Sequence, residues 1–254
     1  MPIKYQNFID NNYKKNRTIV SKDIETILLE IEKLCDSKMT IHRFPSGADI
    51  GTWIIPDSWD VNEAWIKGPD GNIIASYDDH PLFLAPYSIP FHGKVSLDEL
   101  REHIRVHPSQ NDAYYYEFRL AYNYPLRMTD WVVSLPADVN NALPEGQYEV
   151  NIDVETKPSE MLVGEIVLEG EQPESIALLT DYCHPGQVND SFSGILAMID
   201  VIKHIRASGK PKLTYIFFIF PETIGSCVLL ASNPDYIKTI RFYIFSEMVG
   251  WGNN

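Results

Sequence analysis

The chain has 254 residues, 44% of them hydrophobic, and a formal net charge of −14. That length buries a sizeable core as one large domain or two smaller ones, and the acidic balance argues against a nucleic-acid partner, because phosphate backbones are held by clustered Lys and Arg. No run approaches the roughly 18 apolar residues of a membrane span, and the polar start MPIKYQNFIDNNYKKN lacks a secretory apolar region, so no membrane partner and a cytoplasmic location are expected.

From Ser21 to Ser37, Ile24, Ile27, Leu28, Ile31 and Leu34 recur at helical spacing, with Ser21 and Asp23 as candidate starts, which predicts an amphipathic helix. From Thr52 to Val154 the texture changes to short β-like runs divided by turn signals: TWIIP, EAWIKGPDGNIIASYDD, YSIPFHGKVS, DWVVSLP and GQYEVNIDVE. Pro69 to Gly71, between Ala64-Trp65-Ile66 and Ile73-Ile74-Ala75, reads as a hairpin. A short helix is predicted from Leu97 to Val106, ending at His107-Pro108. After about residue 160, apolar strands alternate with helices: GEIVLEG, SIALLTDY, SGILAMIDVIKHI, KLTYIFFIF, an amphipathic stretch near Ser226 to Leu230, and RFYIFSEMV. That order predicts a mostly parallel sheet covered on both faces.

Three of these strands end in acids. Ile176–Thr180 delivers Asp181, Tyr182, Cys183 and His184; Leu213–Phe220 delivers Glu222; Phe242–Phe245 delivers Glu247. If the strands are parallel neighbours, the three groups meet on one rim, where open α/β sheets place their ligands, and Asp190 sits beside them before the next helix. Asp, Glu and His together suit a hydrolytic divalent centre, in which zinc activates water and an unligated carboxylate shuttles the proton. Glu222 is the candidate for that shuttle. Asp190 equally suits a helix N-cap, and Glu222 a solvent-facing turn after Pro221.

Three cysteines, Cys35, Cys183 and Cys227, fit reduced thiols better than a disulfide framework. Cys183 with His184 would make a nucleophile and base only if the loop turned sharply, since adjacent strand residues face opposite ways. His42, His80, His92, His103 and His107, in or beside the β-rich stretch, have no ligand-like spacing and read as packing or surface. Tyr114, Tyr115 and Tyr116 with Phe118, Tyr122 and Tyr124 read as packing rather than a stacking platform. Arg119 and Arg127 have the chemistry to hold a substrate carboxylate, but the sequence does not place them near the rim.

VNDSFSGILAMIDVI resembles the NDNASG segment of co-catalytic zinc aminopeptidases, FPETIGS their Glu-Glu-x-Gly segment, and IFSEMVG their strand ending in Asp-Met-Val-Gly. The string HRFPSGADIGTWIIPDSWDVNEAWIKGPDGNIIASYDDHPLFLAPYSIPFHGKVSLDEL resembles an aminopeptidase-like family long labelled a domain of unknown function. In that family a β domain is inserted near the start of a zinc-peptidase fold, and members often occur with polysaccharide-biosynthesis genes. The resemblance runs in order from about His42 to Gly250.

It implies an α/β fold with a zinc-aminopeptidase-like, mostly parallel sheet and helices on both faces, from residues 1–48 and 158–254, plus an inserted mainly β domain over 49–157. By the same resemblance Asp190 falls on the metal-bridging Asp, Glu222 on the general base, and Glu247 on an Asp that binds the first metal. Thr223 falls where a second-metal Glu stands, which implies one zinc rather than two. Asp181 falls on the first metal-binding His, where the closer family reads Thr-His-x-Cys-His-Pro; whether it replaces that ligand or marks its loss is open. His184 matches the second His of that phrase and is the expected nitrogen ligand.

The implied function is metal-dependent hydrolysis of an amide or peptide bond in a peptide or a small amide-bearing substrate. The alternative is a catalytically impaired binding or assembly module on the same fold. The sequence stops at GWGNN where the family continues with further peptidase fold, including a distal metal-binding His. A truncated sheet with an exposed apolar edge is therefore expected, and with it a homo-oligomer that covers it.

Overall fold

The structure, a computed structural model, describes residues 4–51, 53–117, 119 and 129–250. Two compact units form, one from residues 1–57 and 158–254 and the other from 58–157.

The first unit opens with α1 (Gln6–Asn12), α2 (Ile24–Cys35) and β1 (Thr40–Pro45). The helical spacing in α2 buries Ile24, Ile27, Leu28, Ile31 and Cys35. The helix covers the whole apolar pattern but is shorter than the Ser21–Ser37 segment at both ends. Asp23 spends its carboxylate on the Asn16 amide at 2.9 Å, and Asp36 turns left-handed at φ 48°, a conformation Asp tolerates better than most residues.

The second unit contains β2 (Ser58–Lys67), β3 (Ile73–Ser76), β4 (Phe91–Ser96), α3 (Leu97–His103), β5 (Ile104–Arg105), β6 (Val133–Ser134), α4 (Ala137–Asn141) and β7 (Gln147–Lys157). Its main sheet is antiparallel in the order β3-β2-β7-β4. In β7 the period of two is plain: Tyr148, Val150, Ile152 and Val154 enter the core while Asp153 faces water. The Pro69–Gly71 turn joins β2 to β3, with Gly71 at φ 83° where only Gly sits without strain. Two expectations change, one in the segment that precedes this unit and one within it. TWIIP forms no strand among its described residues, only an isolated bridge from Ile54 to Asp49. The helix predicted to Val106 stops at His103, because Ile104 turns extended to pair with Val133.

Histidines in this unit serve local structure. His80 Nδ1 accepts from the Leu82 amide and its ring stacks on Tyr114; His103 lies over Trp131 and bonds its carbonyl; His92 bonds Asn151; His107 accepts from Ser109 and Gln110. Arg119 pairs with Asp130 at 3.2 Å, while Phe118, Tyr122, Tyr124 and Arg127 lie outside the described residues.

The first unit resumes with β8 (Glu160–Leu168), β9 (Gln172–Asp181), α5 (Gly194–Ala207), β10 (Leu213–Phe220), α6 (Ile224–Ser232), α7 (Pro234–Ile237) and β11 (Ile240–Phe245). Its sheet runs β1-β8-β10-β9-β11, with β9 parallel to both β10 and β11, and β8 antiparallel to both its neighbours. Four strands thus share one direction and β8 alone is reversed. The turn at residues 169–171 sends the chain straight back, yet β10 slots between β8 and β9. Gly170 permits this, since a Cβ there would fall within 3.0 Å of the Leu213 carbonyl.

Helices cover both faces of the sheet. Leu178 of β9 and Phe217 and Ile219 of β10 join α2 and α5 in one core, with Ile195, Met198, Ile199 and Ile202 facing them. On the opposite face Leu179 and Phe218 line one cavity with Leu229 of α6. His42 belongs to this unit, not to the β-rich one: it lies on β1 and bonds the buried Glu165 at 2.7 Å, and Tyr236 donates to the same carboxylate. At the sheet edge, Phe242, Tyr243, Ile244 and Phe245 of β11 are all exposed. Among the described residues, no helix is long and apolar enough to cross a membrane.

Candidate metal centre

Because β10, β9 and β11 are adjacent and parallel, their carboxyl ends share one rim, and the chain leaves all three there. Asp181 is the last residue of β9 and fully buried. The Tyr182 amide still bonds the Phe220 carbonyl at 3.1 Å, so the segment holds to β10 before it turns. Across the rim, the Ser246 amide donates to Leu179 at 2.8 Å, and the Thr180 hydroxyl to the Ser246 carbonyl at 3.0 Å. Asp190 stands in the turn before α5 with non-helical φ −108° and ψ 100°, and the Asp190–Ser191 peptide is cis.

His184 is the hub. Its Nδ1 lies 2.7 Å from Asp181 Oδ2 and 3.3 Å from Asp190 Oδ1, and its Nε2 lies 3.4 Å from Glu222 Oε2. The structure therefore gathers Asp181, His184, Asp190 and Glu222 directly. Glu247, just past β11, is exposed and has no hydrogen bond among the described residues. It is tied to the group by charge: burial, then the charges of Asp181, Asp190 and Glu222, raise its pKa. Thr223 is exposed at φ 62°.

The cluster holds more negative than positive charge, and the titrations follow. Burial pulls the His184 pKa down, but hydrogen bonds to Asp181 and Glu222 and the charges of Asp181 and Asp190 outweigh it and lift it to about 10. Burial raises Asp190, opposed by the His184 charge and reinforced by Asp181 and Glu222. The His184 hydrogen bond lowers Glu222 against the effect of burial. Without metal, His184 is thus the cation that the carboxylates share. A His whose folded pKa exceeds its unfolded 6.5 contributes stability that is complete below pH 6.5 and is lost as pH rises through the folded value. The metal-free protein is accordingly expected to lose thermal stability between about pH 7 and pH 10, at roughly 2–4 °C per kcal/mol for a chain of this size. A melting temperature that stays level or climbs over that range in the presence of a chelator would contradict the protonated hub.

Two oxygens here, Asp181 Oδ1 and Asp190 Oδ1, are buried without a hydrogen-bond partner; Asp190 Oδ1 has only the charge contact with His184 Nδ1, a nitrogen already bonded to Asp181 Oδ2. Buried carboxylate oxygens left in that state are costly, and a cation is what several converging acids accommodate. The residues fit a divalent ion, with His184 exchanging its proton for metal. Zinc suits one imidazole with carboxylates.

Two side chains near the centre take contacts that the motif reading did not assign to them. Cys183 Sγ accepts the Glu222 amide at 3.1 Å and joins Asp181 and His184 in a group whose ligand atoms lie within 4.8 Å of one another. The loop does turn sharply, as a Cys183–His184 pair requires, but burial and then Asp181 push the thiol well above its ordinary pKa, which leaves it a poor nucleophile. The other is Arg17, wholly buried, whose guanidinium bonds the carbonyls of Tyr182 and Gln187. No sequence signal marked Arg17; the Cys183 contact was foreshadowed only by its place beside His184.

The fold is that of an aminopeptidase-like α/β protein. The chain belongs to the family described as domain of unknown function (DUF4910), whose profile matches residues 6–254. A protein of Clostridium acetobutylicum, provisionally named for polysaccharide biosynthesis with an aminopeptidase-like domain, is 28% identical over 94% of this chain and 58% of its own length. A crystal structure of a provisionally assigned peptidase from the same organism matches with TM-score 0.87 and 28% identity, covering 96% of this chain and 56% of that one. A zinc aminopeptidase of Bacillus subtilis matches with TM-score 0.61 at 12% identity, over 96% of this chain and 68% of that one. A peptidase M28 precursor of Shewanella amazonensis matches with TM-score 0.56 at 9%, over 94% and 68%. This chain therefore spans a little over half of the curated relative it resembles.

Proposed function

We propose that the rim is the metal site of an aminopeptidase-like hydrolase acting on an amide or peptide bond. The observation that carries this reading is the meeting of three groups: Asp181 is hydrogen-bonded to His184 through Oδ2 while its Oδ1 is buried without a partner, and Asp190 Oδ1, buried without a hydrogen bond, lies 3.3 Å from the same His184 nitrogen. His184, Asp190, Asp181 and Glu247 would hold one zinc ion. When bound, zinc supplies a Lewis acid that polarises the scissile carbonyl and acidifies a water. Glu222, partly exposed and on the His184 side of the cluster, would serve as the general base for an attacking water and return the proton to the leaving amine. Thr223 offers no carboxylate at the next position, which supports one ion over two. The zinc aminopeptidase fold of the Bacillus subtilis neighbour supports the choice of metal, and a peptide or small amide as substrate follows from the peptidase naming of its relatives.

Elemental analysis tests the reading. The purified chain, dialysed against zinc and then buffer, is expected to retain about one zinc per molecule, and Asp190→Asn to retain at least tenfold less at limiting zinc. Absence of tight zinc uptake by the wild-type chain would favour a binding or assembly module instead.

A further inference from the structure

We infer that Arg17 is a positioning residue of the metal site, holding the loop between β9 and α5 in the one conformation that brings His184 and Asp190 together. This rests on the metal-dependent reading above. Arg17 comes from the segment between α1 and α2, far from the rim in sequence, and is 0% exposed. Its Nη1 donates to the Tyr182 carbonyl at 3.1 Å and its Nη2 to the Gln187 carbonyl at 2.7 Å. One planar fork thereby clamps the backbone on both sides of His184. The same Nη1 lies 3.5 Å from Ser191 Oγ, and the guanidinium sits 3.9 Å from the centroid of the buried Phe192 ring. Those two residues directly follow Asp190, so the loop is pinned before, after and beyond its two central ligands.

The chemistry asks for Arg specifically. A guanidinium is flat, permanently charged, and presents donors in a fixed fork that spans two carbonyls while its face lies on an aromatic ring. An ammonium would keep the charge but lose the fork and the stacking. Burying the cation is costly unless hydrogen bonds answer it, and the carbonyls of Tyr182 and Gln187 answer it here. The cation thus steadies the backbone on which the ligands stand. The amide of Gly186 also bonds the Tyr13 carbonyl at 3.0 Å, so the amino-terminal segment grips this loop at a further point.

The test compares the wild-type chain with Arg17→Lys, Arg17→Met and the control Ile31→Val, which trims the core on α2 away from the loop. Zinc affinity is read by competition with a chromophoric chelator, ligand geometry by the visible spectrum of the cobalt(II) form, and stability by thermal unfolding. Loss of an outer residue that orients metal ligands weakens binding by about 10–100-fold. Both Arg17 variants are expected to show that loss with an altered cobalt spectrum, while Ile31→Val melts earlier and binds as wild type does. Should Arg17→Met fail to fold, Arg17→Lys carries the comparison. Unchanged affinity and spectrum in a folded Arg17 variant overturn the inference and leave the metal site standing, as does equal weakening in Ile31→Val. No zinc uptake by the wild-type chain removes both.

Discussion

Glu222→Gln is expected to lower turnover of an aminoacyl p-nitroanilide by about 10²–10⁴-fold, the usual contribution of a positioned general base, while zinc content and KM stay near their wild-type values. The amide keeps the size and one acceptor oxygen of the carboxylate but cannot take up a proton. Its environment suits that narrow loss: the Glu222 backbone amide is anchored on Cys183 Sγ, and its side chain meets His184 at 3.4 Å, so the substitution leaves the turn after β10 in place. Glu222 is not among the proposed ligands, and metal content is therefore the companion measurement. Activity preserved in the variant would remove Glu222 from the role of base; activity lost together with zinc would make it a ligand.

Gly194→Ala is expected to be the most damaging single-methyl change near the site. Helix propensity alone predicts a gain, since Ala exceeds Gly by up to about 1 kcal/mol in a helix. The packing predicts the opposite sign. A Cβ on Gly194 would come within 3.0 Å of both the Ser246 carbonyl and the Thr180 hydroxyl, the two groups that lock the ends of β11 and β9 together. Helix α5 then has to lift off the rim or the rim has to open, at a cost of about 1–3 kcal/mol typical of overpacking. Asp190 precedes this contact by one turn of chain and moves with it, so weaker zinc binding is expected alongside earlier melting. Differential scanning calorimetry with and without zinc measures both effects. A melting temperature equal to or above wild type would show that propensity prevails and that the close approach is soft.

The apolar spacing of α2, the alternation in β7, the Pro69–Gly71 hairpin and the strand ends at Asp181, Glu222 and Glu247 were legible because each is a local pattern whose period reports burial. The reversed direction of β8 was not. Strand apolarity is indifferent to direction, and the decisive residue, Gly170, acts through a backbone 43 positions away in the chain, at Leu213. Ile104 likewise left its predicted helix for a partner, Val133, that no local window contains. Arg17 was invisible for a related reason: before folding it is one cation in a polar amino-terminal stretch, and nothing local distinguishes it from Lys14 or Lys15.

The site divides along the same line. Which acids lie at strand ends follows from composition and periodicity, and the resemblance of VNDSFSG and FPETIGS to aminopeptidase segments assigns their candidate roles. That Asp181 lies against His184, that two carboxylate oxygens stay unsatisfied, and that Cys183 is spent on the Glu222 amide depend on strand order and on the sharp turn after β9. Hydrophobic periodicity encodes which face of an element is buried, a property of neighbours in sequence. The ångström-scale placement of charge comes only when β9, β10 and β11 stand side by side, because electrostatic and hydrogen-bond energies turn on distances between residues that the chain itself holds far apart.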